Sequence, residues 1–151
     1  MNPFIRSLVP VLLVAFGAVS ARADDRADVL AANMQVEQAF SKLDVKAIEA
    51  TWAQDGPVSV IHPASKVPIL GWEAVQKSYA DHPGRYKDFS VVMDNPQITI
   101  NGNVAWVVGI EKVYAHRVNG DVLDISALAT NIFEKRSDKW LLVHHHASRM
   151  P

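Results

Sequence analysis

Turn sequences divide the second half of the chain into long runs of β-forming residues, and this pattern restricts the fold more than any other feature. Asn101-Gly102 and Asn119-Gly120 each lie between runs rich in β-branched and aromatic residues. Such pairs tolerate the positive φ angles of tight hairpin turns. Arg136-Ser137-Asp138 marks a third turn, and Asn95-Pro96 predicts a bulge within the first run. The pattern predicts an antiparallel meander of four strands over 89–100, 104–118, 121–135 and 140–148.

The first half of the chain has helical periodicity instead. Apolar residues recur at three- and four-residue spacing over 24–43, which predicts an amphipathic helix. Asp44 is a suitable N-cap for a second short helix, and a third helix is predicted from Gly71 to a stop at His82-Pro83-Gly84. Two short strands are predicted between the last two helices, over 58–61 and 67–70. Three helices and a bent antiparallel sheet predict an α+β fold, a cone whose open mouth suits a small molecule.

Length and composition indicate one globular domain behind an export signal. The chain has 151 residues, of which 49% are hydrophobic and 21% charged, and no cysteine. A disulfide scaffold and thiolate chemistry are therefore excluded. The formal net charge is −1 and no basic run occurs, which argues against a nucleic-acid partner.

The N-terminal segment has the organisation of a secretory signal. Arg6 is followed by an apolar run over 8–19 and by the small-x-small motif Ala21-Arg22-Ala23. We predict a signal peptide over 1–23 and a mature domain over 24–151, which is periplasmic or secreted and has no membrane contact after cleavage. A membrane anchor or a buried first helix is the alternative.

Two parts of the sequence resemble a known family. Ile69-Leu70-Gly71-Trp72-Glu73-Ala74-Val75 resembles the strand-to-helix junction of SnoaL-like proteins, which have the nuclear-transport-factor-two-like (NTF2-like) fold. Ala129-Thr130-Asn131-Ile132-Phe133 and the segment 139–148 resemble the last hairpin of that family. The segment 139–148 is also similar to the end of the calcium/calmodulin-dependent kinase association domain. The resemblance implies a cone-shaped barrel of strongly curved antiparallel sheet, covered by three helices from the N-terminal half, but it implies no single reaction.

Three consecutive histidines lie in the last predicted strand. Strict alternation places His144 and His146 on the same face as Trp140. The resemblance implies that this face points into the cone and that His145 points outward. It also implies that Asn131, on the preceding strand, faces the cavity at a position where the association-domain family has an arginine.

Three interpretations of His144 and His146 are open. Both side chains can be structural, hydrogen-bonded to buried polar groups. They can instead bind a ligand or transfer protons, because the pKa of histidine lies near neutrality. A metal site would require a further ligand such as His62 or Glu111. We predict no metal and no cofactor.

Further candidates belong to the same predicted cavity. His62 is either an exposed turn residue or a group at the cavity mouth. Glu111 and Lys112 are neighbours in one strand, so only one of them faces inward, and an inward Glu111 would be a candidate base. Tyr79 could donate a hydrogen bond to a substrate oxygen. The predicted ligand contacts are His62, Trp72, Tyr79, Trp106, Asn131, His144 and His146, and the predicted acid–base candidates are His144, His146, Glu111 and Tyr79.

The primary functional prediction is binding of a small, largely apolar molecule in the cone. One alternative is an isomerase, cyclase or hydrolase that uses a pocket His or Glu. Another is a dimeric assembly module without pocket chemistry. Leu141, Val143 and Val107 are expected on an apolar outer face of the sheet, through which we expect a homodimer.

Overall fold

The computed structural model describes residues 17–151, with side chains from Asp25 onward. The greater part of the predicted signal peptide over 1–23 lies outside the described residues. No helix in the described part of the chain is long and apolar enough to span a membrane. The elements in chain order are α1 (Gly17–Ser41), α2 (Val45–Thr51), β1 (Ser59–Ile61), β2 (Ile69–Leu70), α3 (Trp72–Ala80), α4 (His82–Arg85), β3 (Tyr86–Asn101), β4 (Val104–Arg117), β5 (Val122–Arg136) and β6 (Lys139–Arg149).

Local backbone chemistry sets the ends of the helices. Helix α1 ends two residues before the predicted position 43, because Leu43 adopts a left-handed φ of 53°. Asp44 caps α2 as predicted, since its Oδ1 accepts a hydrogen bond from the backbone N–H of Ala47 at 3.0 Å. The predicted stop at His82-Pro83-Gly84 forms the one-turn helix α4 instead, because proline is compatible with the first turn of a helix.

All six strands form one curled, unclosed sheet in the order β2-β1-β6-β5-β4-β3. The last four strands form the predicted antiparallel meander, and β1 pairs in parallel with β6. The predicted bulge in β3 is present, since the pairing with β4 shifts between Asp94 and Gln97, and Asn95 has a φ of 48°. The helices cover the concave face of the sheet. The α+β prediction is confirmed.

The hairpin turns are close to their predicted positions. Asn101 pairs with Val104, so the first tight loop is Gly102-Asn103, one residue later than predicted, and Gly102 has a φ of 62°. Ser137 and Asp138 form the last turn with φ angles of 45° and 65°. Positive φ angles at these sites match the right-handed twist of the paired strands.

A bulge in β6 reverses the faces of the histidines. Strand β6 has one extra residue relative to β5 at Val143, because the pairing between the two strands shifts there. An inserted residue sends every later side chain to the opposite face. Leu142 is buried before the bulge and His145 is buried after it, whereas His144 and His146 face the convex side. The prediction that His144 and His146 point inward and His145 outward is therefore wrong.

The two faces of the meander differ in composition. Ala127, Ala129 and Asn131 are buried on the concave face. Val107 was expected on the outer face but is fully buried, because alternation along β4 turns its neighbour Trp106 outward instead. Two other residues expected on the outer face, Leu141 and Val143, are partly buried against the core.

Candidate functional site

A cavity of about 450 Å³ opens between the helices and the concave face of the sheet. Its exposed wall is largely apolar, and its polar groups come from several elements. The apolar and aromatic wall contains Val36, Phe40, Tyr79, Tyr86, Phe89, Val91, Val113, Leu123 and Ile125. The ionisable lining groups besides Tyr79 and Tyr86 are Glu37, His62, His82, Arg85, Glu111, Arg117, His145 and Arg149.

Glu111 enters the cavity from the middle of β4. Alternation turns Glu111 inward and Lys112 outward, where Lys112 pairs with Asp94 at 3.3 Å, so the choice left open by the sequence is decided. Glu111 is only 7% exposed, and its carboxyl group makes no hydrogen bond to the described residues. Burial, with a smaller contribution from the charge of Glu37, raises the pKa of Glu111 to about 7. A carboxyl group with such a pKa can give or take a proton at neutral pH.

His145 lines the cavity beside this carboxyl group. Its Nδ1 lies 3.9 Å from Oε1 of Glu111 and 2.7 Å from Oδ1 of Asn131. Burial, followed by the charges of the other nearby histidines, lowers the pKa of His145 to about 3. The ring is therefore neutral at pH 7, with one N–H donor and one nitrogen lone pair.

A buried chain of hydrogen bonds extends from His145 to helix α1. Nδ2 of Asn131 donates to Oδ1 of Asn33 at 2.8 Å, and Nδ2 of Asn33 donates to Oε1 of Glu37 at 2.7 Å. The same carboxylate oxygen accepts the backbone N–H of Met93 at 3.2 Å. Asn131 was expected to contact a ligand, but it does not line the cavity. It lies behind His145 and contacts that ring.

Tyr79 lines the cavity from helix α3, and its hydroxyl group is sealed from solvent. The residue is 2% exposed, and its hydroxyl has no hydrogen-bond partner among the described residues. Its ring packs edge-on against Phe40, with centroids 4.9 Å apart, and against His62, with centroids 5.1 Å apart. Burial, together with the charge of Glu111, raises the pKa of Tyr79 well above its ordinary value. The group therefore remains an O–H donor at neutral pH.

His62 lines the cavity at the end of β1 and is half-buried rather than exposed. Its Nε2 lies 3.2 Å from Oγ of Ser78, which itself donates to the carbonyl of Val75 at 2.7 Å. The serine oxygen is therefore the acceptor, and His62 donates from Nε2. Burial, with smaller effects of His82 and Arg85, lowers the pKa of His62 to about 4.

The other predicted contact residues lie away from the cavity. Trp72 is partly buried against the core, and Trp106 is 36% exposed on the convex face. Neither side chain lines the cavity. The tryptophan prediction assumed that aromatic residues near the sheet point inward, whereas the register of β4 turns Trp106 outward.

His144 and His146 belong to the convex face as well. Nδ1 of His144 lies 2.8 Å from Oγ of Ser59, and Nε2 of His146 lies 2.8 Å from Oγ of Ser148. The two ring centroids are 6.4 Å apart. Within residues 17–151, no group of three or more potential metal ligands occurs.

Sequence reasoning missed His145 and Glu37 as members of the site. A signal for His145 existed, because the apolar residues Leu142 and Ala147 are separated by an odd number of positions. Both can be buried in one strand only if a bulge lies between them. Glu37 had no comparable signal, because it is one of many polar residues on a helix.

A curled, unclosed and mainly antiparallel sheet with helices over a single concave face defines the NTF2-like class of α+β cones. The chain belongs to the SnoaL-like domain family, whose family model matches residues 29–151. The resemblance predicted from the sequence is confirmed. No curated protein matches the chain by sequence.

Solved structures share this fold at low identity. A proposed dehydratase of the NTF2-like family from Streptomyces avermitilis is 23% identical, with a TM-score of 0.77 over 85% of this chain and 97% of that chain. A proposed calcium/calmodulin-dependent protein kinase II association domain from Xanthomonas campestris is 20% identical, with a TM-score of 0.65 over 100% and 98%. The hexachlorocyclohexane dehydrochlorinase LinA-type3 from Novosphingobium barchaimii is 16% identical, with a TM-score of 0.72 over 89% and 92%. These likenesses establish the fold alone.

Proposed function

We propose that this protein binds a small, largely apolar molecule in its cone and catalyses a proton transfer on it, as in an elimination or an isomerisation. One observation carries the proposal. Glu111 and His145 reach the same apolar cavity, and each keeps an unused capacity to accept or donate a proton or a hydrogen bond, while Tyr79 lines that cavity with an unbonded hydroxyl group sealed behind its wall. Convergent polar groups with shifted pKa values in an apolar cavity are typical of a reaction site.

The three groups suit different roles. Glu111 is the base, because its pKa of about 7 leaves an ionised fraction at neutral pH and its carboxylate is poorly solvated. The hydroxyl of Tyr79 is an unbonded donor behind the cavity wall, and a small shift of that wall on binding would bring it to a substrate oxygen on which negative charge develops. His145, which is neutral, orients the substrate by a hydrogen bond. The dehydratase and dehydrochlorinase among the structural relatives are consistent with elimination chemistry on this fold.

The test uses proton exchange and does not depend on knowing the natural substrate. Cyclic enones and β-hydroxy ketones are incubated with the protein in D₂O, and loss of the α-proton signal, or appearance of the vinyl protons of the enone formed when water is eliminated, is followed by ¹H NMR. We expect exchange that increases as the pH rises through 7. The Glu111→Gln variant should lose about 10²–10⁴-fold of the rate. Lys112→Gln is the matched control, since this side chain lies on the opposite face. Equal rates in wild type and Glu111→Gln would refute the proposal.

Binding without turnover is the second candidate, and the largely apolar wall of the cavity favours it. Native mass spectrometry of the untagged protein would then show one organic molecule per chain. Retention of such a molecule, together with no exchange by the wild type on any compound of the panel, would support this candidate over the enzyme.

We also propose that the protein acts outside the cytoplasm, on the basis of the predicted signal peptide over 1–23. Expression of the full chain in a Gram-negative host, followed by N-terminal sequencing of the periplasmic fraction, should yield a first residue of Asp24. Full-length protein retained in the cytoplasm would contradict export.

A further inference from the structure

We infer that the buried series of hydrogen bonds from Glu37 to His145 selects the tautomer of His145. The cavity then presents a hydrogen-bond acceptor and binds apolar molecules that carry a hydroxyl group. Asn33 and Asn131 are then positioning residues. The preference for a hydroxyl group deepens the proposed function and rests on it, whereas the choice of tautomer follows from the hydrogen bonds alone.

The donor–acceptor direction of these hydrogen bonds is set at Glu37, in helix α1. Oε1 of Glu37 accepts the backbone N–H of Met93 at 3.2 Å, which makes this carboxylate oxygen an acceptor. An amide group donates only through its nitrogen. The atom of Asn33 that lies 2.7 Å from Oε1 is therefore Nδ2, and Oδ1 of Asn33 faces the other way.

The same direction determines which ring nitrogen of His145 carries the hydrogen. Oδ1 of Asn33 requires a donor, so the contact at 2.8 Å comes from Nδ2 of Asn131. Oδ1 of Asn131 then lies 2.7 Å from Nδ1 of His145. An amide oxygen cannot donate, so Nδ1 carries the hydrogen, and Nε2 of the neutral ring has the lone pair.

The free nitrogen determines what the cavity can recognise. Nε2 of His145 makes no hydrogen bond with the described residues, and it is not among the polar atoms that are sealed from solvent without a partner. His145 lines the cavity, so this lone pair is available to a ligand. An alcohol or phenol can donate to it, whereas an ether or a ketone cannot.

The first experiment reads the tautomer directly. Long-range ¹H–¹⁵N correlation spectra of the uniformly labelled protein at pH 7 distinguish a protonated from an unprotonated ring nitrogen. We expect His145 to be protonated at Nδ1 alone. The Asn131→Leu and Asn33→Leu variants remove the directional bonds and should give a mixture of tautomers. Asn131→Asp retains an acceptor and should retain the Nδ1–H form. Ser148→Ala is the control, because it removes a partner of His146 and not of His145.

The second experiment measures recognition with 2-naphthol and 2-methoxynaphthalene, which share an aromatic body and differ in the donor. We expect wild type to bind 2-naphthol about tenfold more tightly, which is the value of one net hydrogen bond. Asn131→Leu should lose this preference and Asn131→Asp should keep it. Thermal melting identifies any variant that does not fold.

The outcomes separate this inference from the proposed reaction. An Nε2–H tautomer in wild type, or equal affinities for the two naphthalenes, overturns the inference even if proton exchange occurs. An Nδ1–H tautomer with the naphthol preference supports it even if no compound undergoes exchange, in which case only the proposed reaction fails.

Discussion

Oε1 of Glu111 and Nδ1 of His145 lie 3.9 Å apart on the concave face, and burial moves the pKa values of the two groups in opposite directions. The pKa of Glu111 is raised to about 7 and that of His145 is lowered to about 3. Between these values both groups are neutral, so the contact is not an ion pair there. Because ionisation of either group is opposed by desolvation, the stability of the fold depends on pH through these residues.

The contribution of Glu111 to the stability of the fold should decrease as the pH rises toward 7. An unfolded glutamate ionises near its ordinary value of 4.5, whereas folded Glu111 keeps its proton up to about pH 7. At Glu111 the folded state binds more protons in this interval, which lowers the free energy of unfolding by about 3 kcal/mol across it. The lowered pKa values of His145 and His62 act in the opposite direction below pH 6.5, so the contribution of Glu111 is isolated by comparing variants. Urea unfolding at pH 5 and pH 8 should show that Glu111→Gln gains stability relative to wild type as the pH rises, whereas Lys112→Gln should not. The same pH dependence in wild type and Glu111→Gln would contradict a buried, titrating carboxyl group.

Tyr79→Phe should leave the free protein as stable as wild type, or more stable by about 1 kcal/mol, because it removes a buried hydroxyl that has no partner among the described residues. The same variant should bind an oxygen-bearing ligand less tightly. Thermal unfolding and titration with 2-naphthol measure the two effects. Tyr114→Phe, at an outer-face position that is 46% exposed, is the control and should change neither. A clear loss of stability in Tyr79→Phe would show that the hydroxyl is already bonded.

Gly109→Ala should destabilise the protein by about 1–3 kcal/mol, the usual cost of overpacking. A Cβ at this position would lie 2.6 Å from Cγ of Met93 and 3.0 Å from the carbonyl oxygen of Asp94. Gly84→Ala is the matched control, because a Cβ there meets nothing within 4 Å. Chemical denaturation of both variants gives the comparison. Equal stability of the two would mean that β3 moves away from β4 at little cost.

We propose a homodimer through the convex face of the sheet. Trp106, Val108 and Leu128 are 36%, 42% and 58% exposed on the adjacent strands β4 and β5, and such apolar patches commonly mark interfaces. Light scattering at micromolar concentration should give the mass of two chains for wild type and of one chain for Val108→Lys. Val118→Lys, in the β4–β5 turn, should remain dimeric. A wild-type mass of one chain would refute the proposal.

Much of the fold was readable from local patterns. Asp44 caps α2, Asn95 takes part in the bulge of β3, and Ser137-Asp138 turns the last hairpin, because each depends on the conformational preferences of a few adjacent residues. The family motifs around Gly71 and Asn131 identified the fold as well. The first helix begins at Gly17 instead of the predicted Asp24. Other predicted element ends differed at Leu43 and His82, where the local backbone conformation, and not the apolar periodicity, ends the helix.

The site was only partly predictable for a physical reason. The sequence alone indicated that Tyr79 and His62 belong near the cavity and that Glu111 or Lys112 faces it. It also determined the composition of the last strand, with three histidines in a row. Which face each histidine takes depends on the strand register, and the register is set by hydrogen bonds with β5 and β1 from distant parts of the chain. The extra residue at Val143 exists only in that pairing, so tertiary structure alone placed His145 beside Glu111 and connected it through Asn131 to helix α1.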